Sequence, residues 1–145
     1  MSTSRQVYCL IDPAKLVPTE EIDVTRLCEV ERDITQSGRW KVPVSVHKDV
    51  YFVMDGHHRL EVANRLGLRV LPVVLLDYGS VRVTSWRPGE TITEKDVWGM
   101  YRAGQKFPCK TTRHIFDLQL NNCDISLDDL RCFSPEPAPT YYRSH

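Results

Sequence analysis

A run of chemically reactive side chains at residues 55–59 follows a short apolar run at 51–54. It contains a carboxylate, a glycine, two imidazoles and a guanidinium, namely Asp55, Gly56, His57, His58 and Arg59. Apolar residues then recur at roughly helical spacing, so the run is predicted to lie at a strand-to-helix junction. A helix N-terminus offers unpaired backbone N–H groups, and a glycine lets a ligand approach the backbone closely. With two imidazoles and a guanidinium beside it, this pattern predicts a phosphate-binding site.

A second polar run lies at residues 106–114, where a proline interrupts a series of cations and hydroxyls. We predict a loop here, and it lacks the glycines of a Walker loop. A solvated surface turn is the simplest interpretation. The presence of the first run favours phosphate contact instead, because phosphate oxygens accept several hydrogen bonds and arginine can donate two at once. The candidate residues are Lys110, Thr111, Thr112, Arg113 and His114.

Structural alternatives exist for the single residues. An aspartate before a helix is commonly an N-cap, but a cap does not require the neighbours that Asp55 has. Metal ligation by His57 and His58 is weakly supported, because adjacent histidines rarely face one ion and no third ligand lies at a usual spacing. Hydrogen bonding to phosphate is favoured, and a structural role stays open for either histidine alone. Trp40 is a candidate to stack on a base, although a tryptophan beside a strand is more often core.

Hydrophobic patterns place both runs in a mixed α/β sheet with packed helices. Strands are predicted at 7–11, 42–46, 51–54, 70–78 and 81–86. One helix is predicted between Asp23 and Gly38, a second ends near Gly67, and a third lies between Thr93 and Gly104. We expect a single domain at residues 1–133 and a flexible tail at 134–145, where packing residues follow no period.

Composition excludes several classes of protein. Nineteen basic and nineteen acidic residues cancel, so no overall field attracts a nucleic-acid backbone, and no nucleic-acid partner is expected. The five cysteines are odd in number and form no CxxC pair, which argues against a disulfide framework and favours a reducing compartment. No run has the length of a signal sequence or a membrane span. We therefore expect a cytoplasmic protein of one domain.

Taken together, five stretches resemble the free L-serine kinases of the ParB/sulfiredoxin superfamily, which include an ADP-dependent archaeal enzyme and an ATP-using enzyme of a siderophore pathway. The resemblance runs from about residue 10 to 116 and rests on residues 15–20, 37–43, 55–59, 76–78 and 107–114. The box at 55–59 has related forms in several families, but its pairing with residues 110–114 is specific to the kinases. This chain resembles a minimal version, because the archaeal enzyme carries an additional segment between Trp86 and Thr93. The implied fold class is α/β (α+β), with a small mixed sheet.

The resemblance implies transfer of the terminal phosphoryl group of ATP or ADP to the hydroxyl of free L-serine, with Mg²⁺ as cofactor. By position, Glu20 corresponds to the family's catalytic glutamate, and Asp55 to a second essential carboxylate that would position the hydroxyl or Mg²⁺. Residues 56–59 and 110–114 would hold the phosphates. A serine hydroxyl is a poor nucleophile at neutral pH, so a carboxylate base is physically reasonable. Which carboxylate is the base, which nucleotide is the donor, the exact acceptor and the oligomeric state stay open.

The sequence fits three alternative functions less well than a kinase. Partition proteins of this superfamily bind DNA or CTP, but they carry an arginine-rich box and a helix-turn-helix domain that this sequence lacks. A sulfiredoxin-like reductase requires a cysteine where His57 stands. A nucleotide sensor without catalysis needs the cations of the site but not Glu20 and Asp55, so the presence of both carboxylates favours an enzyme.

Overall fold

The computed structural model describes residues 8–116 and 122–135. Within them, the strands are β1 (Cys9–Ile11), β2 (Arg39–Trp40), β3 (Val44–His47), β4 (Val53–Asp55), β5 (Leu71–Leu76), β6 (Val81–Ser85), β7 (Thr112–Phe116) and β8 (Ile125–Ser126). The helices are α1 (Val24–Ser37), α2 (His57–Arg65), α3 (Glu94–Ala103) and α4 (Leu127–Cys132), with a short 3₁₀ turn at Pro13–Lys15.

The main sheet is mixed and has the strand order β1-β5-β3-β4. Strand β5 is antiparallel to β1 and parallel to β3, and β3 is antiparallel to β4. Two smaller antiparallel pairs join β6 to β7 and β2 to β8. The predicted mixed sheet with packed helices is therefore confirmed.

Consecutive residues of β5 face opposite sides of this sheet, as the pleat requires. Val73 and Leu75 pack in a core cluster with residues of α1, α2 and α4. Val74 and Leu76 pack in a second cluster, which includes Val97 of α3. The sheet is thus covered on both faces, and all six residues of β5 are buried. This explains why the strand reads as a continuous apolar run rather than an alternating one.

The predicted helix ends are confirmed. The Asp23 side chain accepts a hydrogen bond from the Thr25 N–H at the start of α1, and Gly38 ends that helix in the left-handed region. Thr93 caps α3 and Gly104 closes it. One detail differs from the expected amphipathic pattern, because Val24, at the first position of α1, is 67% exposed.

Two parts of the chain differ from the sequence-based expectation. Residues 112–116 were predicted to begin as a loop, but they form β7, in which Thr112 pairs with Ser85 and His114 with Val83. The segment from Ile125 to Cys132 was not predicted to be regular, yet it forms β8 and α4.

Other predictions concern the chain as a whole. The proposed tail falls largely on residues 136–145, which lie outside the described residues, so that part stays a prediction. Along the described segments, no helix is both long and apolar enough to cross a bilayer. None of the five cysteines, all of which lie among the described residues, forms a disulfide bond.

Candidate active site

The strand-to-helix junction predicted at residues 55–59 is confirmed. Strand β4 ends at Asp55, α2 begins at His57, and Gly56 lies between them at φ 110°. Gly56 is the N-cap and offers no side-chain hydrogen bond, so Asp55 is not the cap of this helix. The first N–H groups of a helix have no partner within the helix, and here no capping side chain takes their place. They are therefore available to an anion.

A side chain at position 56 would be crowded by Val44 and Arg59. A Cβ atom there would lie 3.1 Å from Val44 Cγ2 and 3.3 Å from Arg59 Nη2. The positive φ excludes most other residues independently of this crowding. The glycine therefore fixes both the turn and the approach of Arg59 to the helix start.

Both histidines of the run accept hydrogen bonds from the backbone of residues 19–23. The Thr19 N–H donates to His57 Nε2 at 3.1 Å, and the Asp23 N–H donates to His58 Nε2 at 3.0 Å. Burial lowers the pKa of His57 to about 3, and the nearby His114 and His58 contribute further. Burial, followed by the charge of Arg26, also lowers the pKa of His58. Both rings are neutral and accept hydrogen bonds. Through these bonds the start of α2 holds the segment that contains Glu20 in place.

A second set of contacts holds Glu20 beside the other polar run. The Phe107 N–H donates to the Thr19 carbonyl at 2.8 Å, and the Glu21 N–H donates to the Phe107 carbonyl at 2.7 Å. The carboxylate of Glu20 then accepts from the Lys110 N–H at 2.7 Å, the Thr112 N–H at 3.1 Å and the Thr112 hydroxyl at 2.6 Å. Lys110 has φ 57°, an uncommon conformation for a residue with a side chain. The loop is thus shaped around the carboxylate.

These elements enclose a polar cavity of about 210 Å³, which we call the central cavity. Both predicted carboxylates and six of the predicted phosphate-binding residues line it. They are Glu20, Asp55, Gly56, His57, His58, Arg59, Lys110 and Thr112. The two sequence runs, about 50 residues apart, therefore meet at one place, as the resemblance implied.

Charges of both signs line the central cavity. Arg59 Nη2 lies 3.4 Å from Asp55 Oδ2, and the side chain of Asp55 is 59% exposed. Arg59 Nε is buried and has no hydrogen-bond partner among the described residues. Since an arginine carries five N–H donors, this guanidinium retains donors for a ligand.

Three predicted phosphate-binding residues do not line the central cavity. The Thr111 hydroxyl donates to the Pro108 carbonyl at 2.6 Å and stabilises the turn. The Arg113 guanidinium lies 4.5 Å from the centre of the Trp86 ring. His114 Nε2 pairs with the Tyr78 hydroxyl at 2.9 Å, and burial lowers the pKa of His114 to about 4. Alternation along β7 accounts for Arg113, which points to the face opposite Thr112. Thr111 precedes the strand, and His114 shares the face of Thr112 but is paired with Tyr78.

Trp40 borders the neighbouring cavity described below, but its ring is not exposed for stacking on a base in this structure. Its side chain is buried in the core, and its Nε1 donates to the Val42 carbonyl at 2.8 Å. The predicted base contact of Trp40 therefore stays a prediction.

Sequence reasoning missed four residues of the central cavity, Arg26, Val30, Met54 and Trp86. Arg26 and Val30 share a face of α1 that is turned toward the start of α2. No local pattern indicates this orientation, because it depends on how the two helices pack. Trp86 follows β6 directly and is 56% exposed, and no local pattern indicates that it borders the cavity.

A neighbouring cavity of about 290 Å³, which we call the side cavity, adjoins the central one. The two cavities share Arg26, Val30 and Arg59. The side cavity is lined in part by apolar residues, including Ile34 and the 40% exposed Val42. A ligand with a polar and a less polar part could extend across both.

The described residues form a small α+β fold whose mixed sheet carries a polar cavity at a strand-to-helix junction. No protein-family model matches the sequence. An ATP-dependent L-serine kinase of Staphylothermus marinus is 36% identical over 85 residues, which cover 54% of this chain and 34% of that protein. An ADP-dependent L-serine kinase of Thermococcus kodakarensis is 34% identical over 92 residues, covering 59% of this chain and 38% of that protein.

A ParB-like protein of Sulfolobus acidocaldarius is 30% identical over 78 residues, covering 52% of this chain and 39% of that protein. A solved free serine kinase in complex with AMP matches with a TM-score of 0.79 at 19% identity, covering 90% of this chain and 96% of that one. The chain spans about a third of the length of the curated relatives it matches, 34% to 39%. The predicted resemblance to L-serine kinases is confirmed, and the structural match confirms the fold.

Proposed function

We propose that this protein transfers the terminal phosphoryl group of ATP or ADP to the hydroxyl of free L-serine, giving O-phospho-L-serine. One observation carries the proposal. The carboxylate of Glu20 is fixed by three hydrogen bonds in the cavity that also contains Asp55 and the uncapped start of α2. A base and an anion site in one cavity are what phosphoryl transfer to an alcohol requires. The L-serine kinases among the relatives support the choice of acceptor.

The contacts of Glu20 distinguish its two oxygens. Oε2 accepts two hydrogen bonds, both from Thr112, whereas Oε1 accepts one, from the Lys110 N–H. Each carboxylate oxygen can accept about two hydrogen bonds, so Oε1 keeps one acceptor position. We assign Oε1 as the atom that takes the serine proton as the bond to phosphorus forms. The fixed orientation reduces the reorganisation that this step needs.

The phosphates of the nucleotide would lie at the start of α2. Backbone N–H groups there point into the cavity, and the positive end of the helix dipole favours negative charge. The Arg59 guanidinium, which retains free donors, and the Lys110 and Arg26 side chains add positive charge around the same space. In this assignment the phosphates contact the backbone of His57 and His58, while the rings of both histidines hold the Glu20 segment.

The surroundings of Asp55 fit a Mg²⁺ ion that is held mainly by substrate. Mg²⁺ is commonly bound by one or two carboxylates together with nucleotide phosphates. In the part of the chain that the structure describes, no three His, Cys, Asp or Glu side chains are grouped to hold a metal by themselves. Asp55 would therefore hold the ion together with the phosphates. When bound, Mg²⁺ neutralises charge that develops on the phosphate oxygens.

The side cavity is our proposed site for the nucleoside. It adjoins the central cavity through Arg26, Val30 and Arg59, and it offers an apolar wall that phosphates do not need. Trp40 borders the same cavity with its ring buried, so a contact between Trp40 and the nucleoside stays part of the proposal. This assignment leaves the donor open between ATP and ADP, because both share the nucleoside and differ only in the length of the phosphate chain.

The test is a phosphorus NMR assay of the full chain with L-serine, MgCl₂ and either ATP or ADP. Phosphoserine formed with either nucleotide supports the proposal and identifies the donor. Glu20→Gln should abolish product while nucleotide affinity changes by less than about threefold. The amide oxygen can still accept the two hydrogen bonds from Thr112, but the NH₂ group that replaces Oε1 can neither accept from the Lys110 N–H nor take the proton. Turnover retained in that variant would overturn the assignment of the base.

Nucleotide binding without product in the wild-type chain would favour a non-catalytic nucleotide-binding regulator. The ParB-like relative makes this the second candidate. The proposed reaction uses free metabolites, so we place the protein in the cytoplasm and expect neither a membrane nor a nucleic-acid partner. We retain residues 1–133 as the proposed domain.

A further inference from the structure

A tyrosine outside the predicted site is hydrogen-bonded to one of the predicted site residues. The Tyr78 hydroxyl lies 2.9 Å from His114 Nε2, and the two rings stack with centres 5.8 Å apart and an interplanar angle of 29°. Tyr78 follows β5, and His114 lies on β7, so the contact joins the main sheet to the smaller strand pair. Two simultaneous contacts, one polar and one between ring faces, leave the imidazole little freedom to rotate.

His114 lies close to the central cavity without lining it. Strand β4 contributes the Asp55 charge and the Met54 carbonyl to its surroundings, since both favour protonation of the ring. The same ring lowers the pKa of His57 at the start of α2. The imidazole is therefore close both to Tyr78 and to the end of β4 that carries Asp55. The orientation of the His114 ring therefore affects the electrostatic field at the Asp55 carboxylate.

The hydrogen bond to Tyr78 depends on the tautomer of His114. A neutral imidazole has one donor and one acceptor nitrogen, and a phenol can donate to the acceptor or accept from the donor. The Met54 carbonyl interacts with a ring N–H of His114, which favours Nε2 as the acceptor of the Tyr78 hydroxyl and Nδ1 as the protonated atom. Nδ1 is buried and makes no hydrogen bond of standard geometry with the described residues.

We propose that Tyr78 is a positioning residue of the candidate active site, which acts by holding His114 in the Nδ1–H tautomer with that donor on the side of Asp55. Tyr78 touches neither phosphate nor acceptor in this assignment. The kinetic consequence rests on the proposed kinase function, whereas the tautomer does not. The two can therefore be tested separately.

The first test uses ¹⁵N NMR of the histidine side chains in the full chain, without substrates. In the wild type, His114 should show the signature of a neutral ring protonated on Nδ1. Tyr78→Phe keeps the stacked ring and removes the hydroxyl, so Nε2–H should become populated. Tyr101→Phe is the matched control, because Tyr101 packs 5.7 Å from Phe52 in the same aromatic cluster. A tautomer that is unchanged in Tyr78→Phe, or is Nε2–H in the wild type, would overturn the proposal.

The second test is a double-mutant cycle in the phosphorylation assay. Tyr78→Phe should lower kcat by about tenfold, and KM for the nucleotide should change by less than about twofold. In a His114→Ala background the same substitution should change kcat by less than about twofold, because the residue through which Tyr78 acts is gone. Equal losses in both backgrounds would show that Tyr78 acts independently of His114. Thermal unfolding of each variant identifies any loss that reflects folding alone.

If the wild type forms no phosphoserine, the proposed function fails while the NMR test still decides the role of Tyr78. If phosphoserine forms but the tautomer does not depend on the hydroxyl, the function stands and this inference fails. Each outcome therefore bears on one proposal.

Discussion

Thr112 donates twice to one carboxylate oxygen of Glu20, from its hydroxyl at 2.6 Å and from its backbone N–H at 3.1 Å. The two residues are 92 positions apart in the chain. Thr112 begins β7, and Glu20 lies on an extended segment that is fastened to α2 by His57 and His58. The orientation of the proposed base is therefore determined jointly by a strand and by a helix terminus.

Replacing Thr112 by valine should reduce phosphoserine formation by about tenfold to a hundredfold. Valine has nearly the same shape but cannot donate the 2.6 Å hydrogen bond, so Glu20 loses one of its three donors. Thr112→Ser keeps the hydroxyl and should recover most of the rate. Steady-state kinetics with saturating nucleotide measures the effect. Equal rates in the valine and serine variants would show that the hydroxyl does not orient the base.

Replacing His57 by phenylalanine should lower kcat and leave nucleotide affinity within about threefold. His57 Nε2 accepts a hydrogen bond from the Thr19 N–H, so removal of the imidazole loosens the segment that carries Glu20. In our assignment it removes no contact with a phosphate. His57→Gln places an amide oxygen near the same position and should restore part of the activity. Calorimetric titration with ADP separates the two roles. A large loss of affinity with unchanged kcat would support direct phosphate contact by the ring.

Stability should decrease as the pH falls from 7 to 5. Burial holds the pKa of His57 at about 3 and that of His114 at about 4, whereas both would be near 6.5 in the unfolded chain. Between these values the unfolded state binds more protons, so protonation favours unfolding. Above pH 7 these two groups contribute no pH dependence.

The free energy of unfolding should decrease by roughly 2–4 kcal/mol between pH 7 and pH 5. Each histidine contributes a slope of about 1.4 kcal/mol per pH unit where it is protonated in the unfolded chain and neutral in the folded protein. Urea unfolding at the two pH values measures the decrease. His57→Gln should show a smaller loss than the wild type, because one of the two groups no longer titrates. Equal stability of the wild type at both pH values would contradict the prediction.

The sequence was most informative where a local rule decides the structure. The helix caps were predicted because they depend only on neighbouring backbone groups. Two helices begin after Asp23 and Thr93 and end before Gly38 and Gly104. The junction at Asp55 followed from a change of period between strand and helix. These features need no knowledge of distant contacts.

The parts that could not be predicted depend on long-range packing. Nothing near Arg26 indicates that its helix face turns toward α2, and nothing near Tyr78 indicates a partner on β7. Trp40 is ambiguous locally, since only the packing of the core decides that both faces of its ring are covered. The structure places His57 and His58 beside the central cavity, but the Nε2 atoms of both rings accept hydrogen bonds from the backbone of residues 19–23, which no local pattern brings close.

Gly56 and Gly67 provide a matched pair for the last prediction. Both have positive φ, 110° and 66°, but an added Cβ would crowd Val44 and Arg59 only at Gly56, since nothing lies within 4 Å at Gly67. Substitution of Gly67 by alanine should lower the free energy of unfolding by about 1–2 kcal/mol, because of backbone strain alone. Substitution of Gly56 should lower it by more, because the Cβ atom also makes close contacts with Val44 and Arg59.

The two alanine variants should differ more in nucleotide affinity than in stability. Gly56→Ala displaces the Arg59 guanidinium and narrows the approach to the start of α2, so nucleotide affinity should fall by about tenfold or more. Gly67→Ala lies at the other end of the helix and should retain wild-type affinity. Urea unfolding and nucleotide titration on both variants provide the comparison. Equal affinities would show that the anion site does not depend on close approach at Gly56.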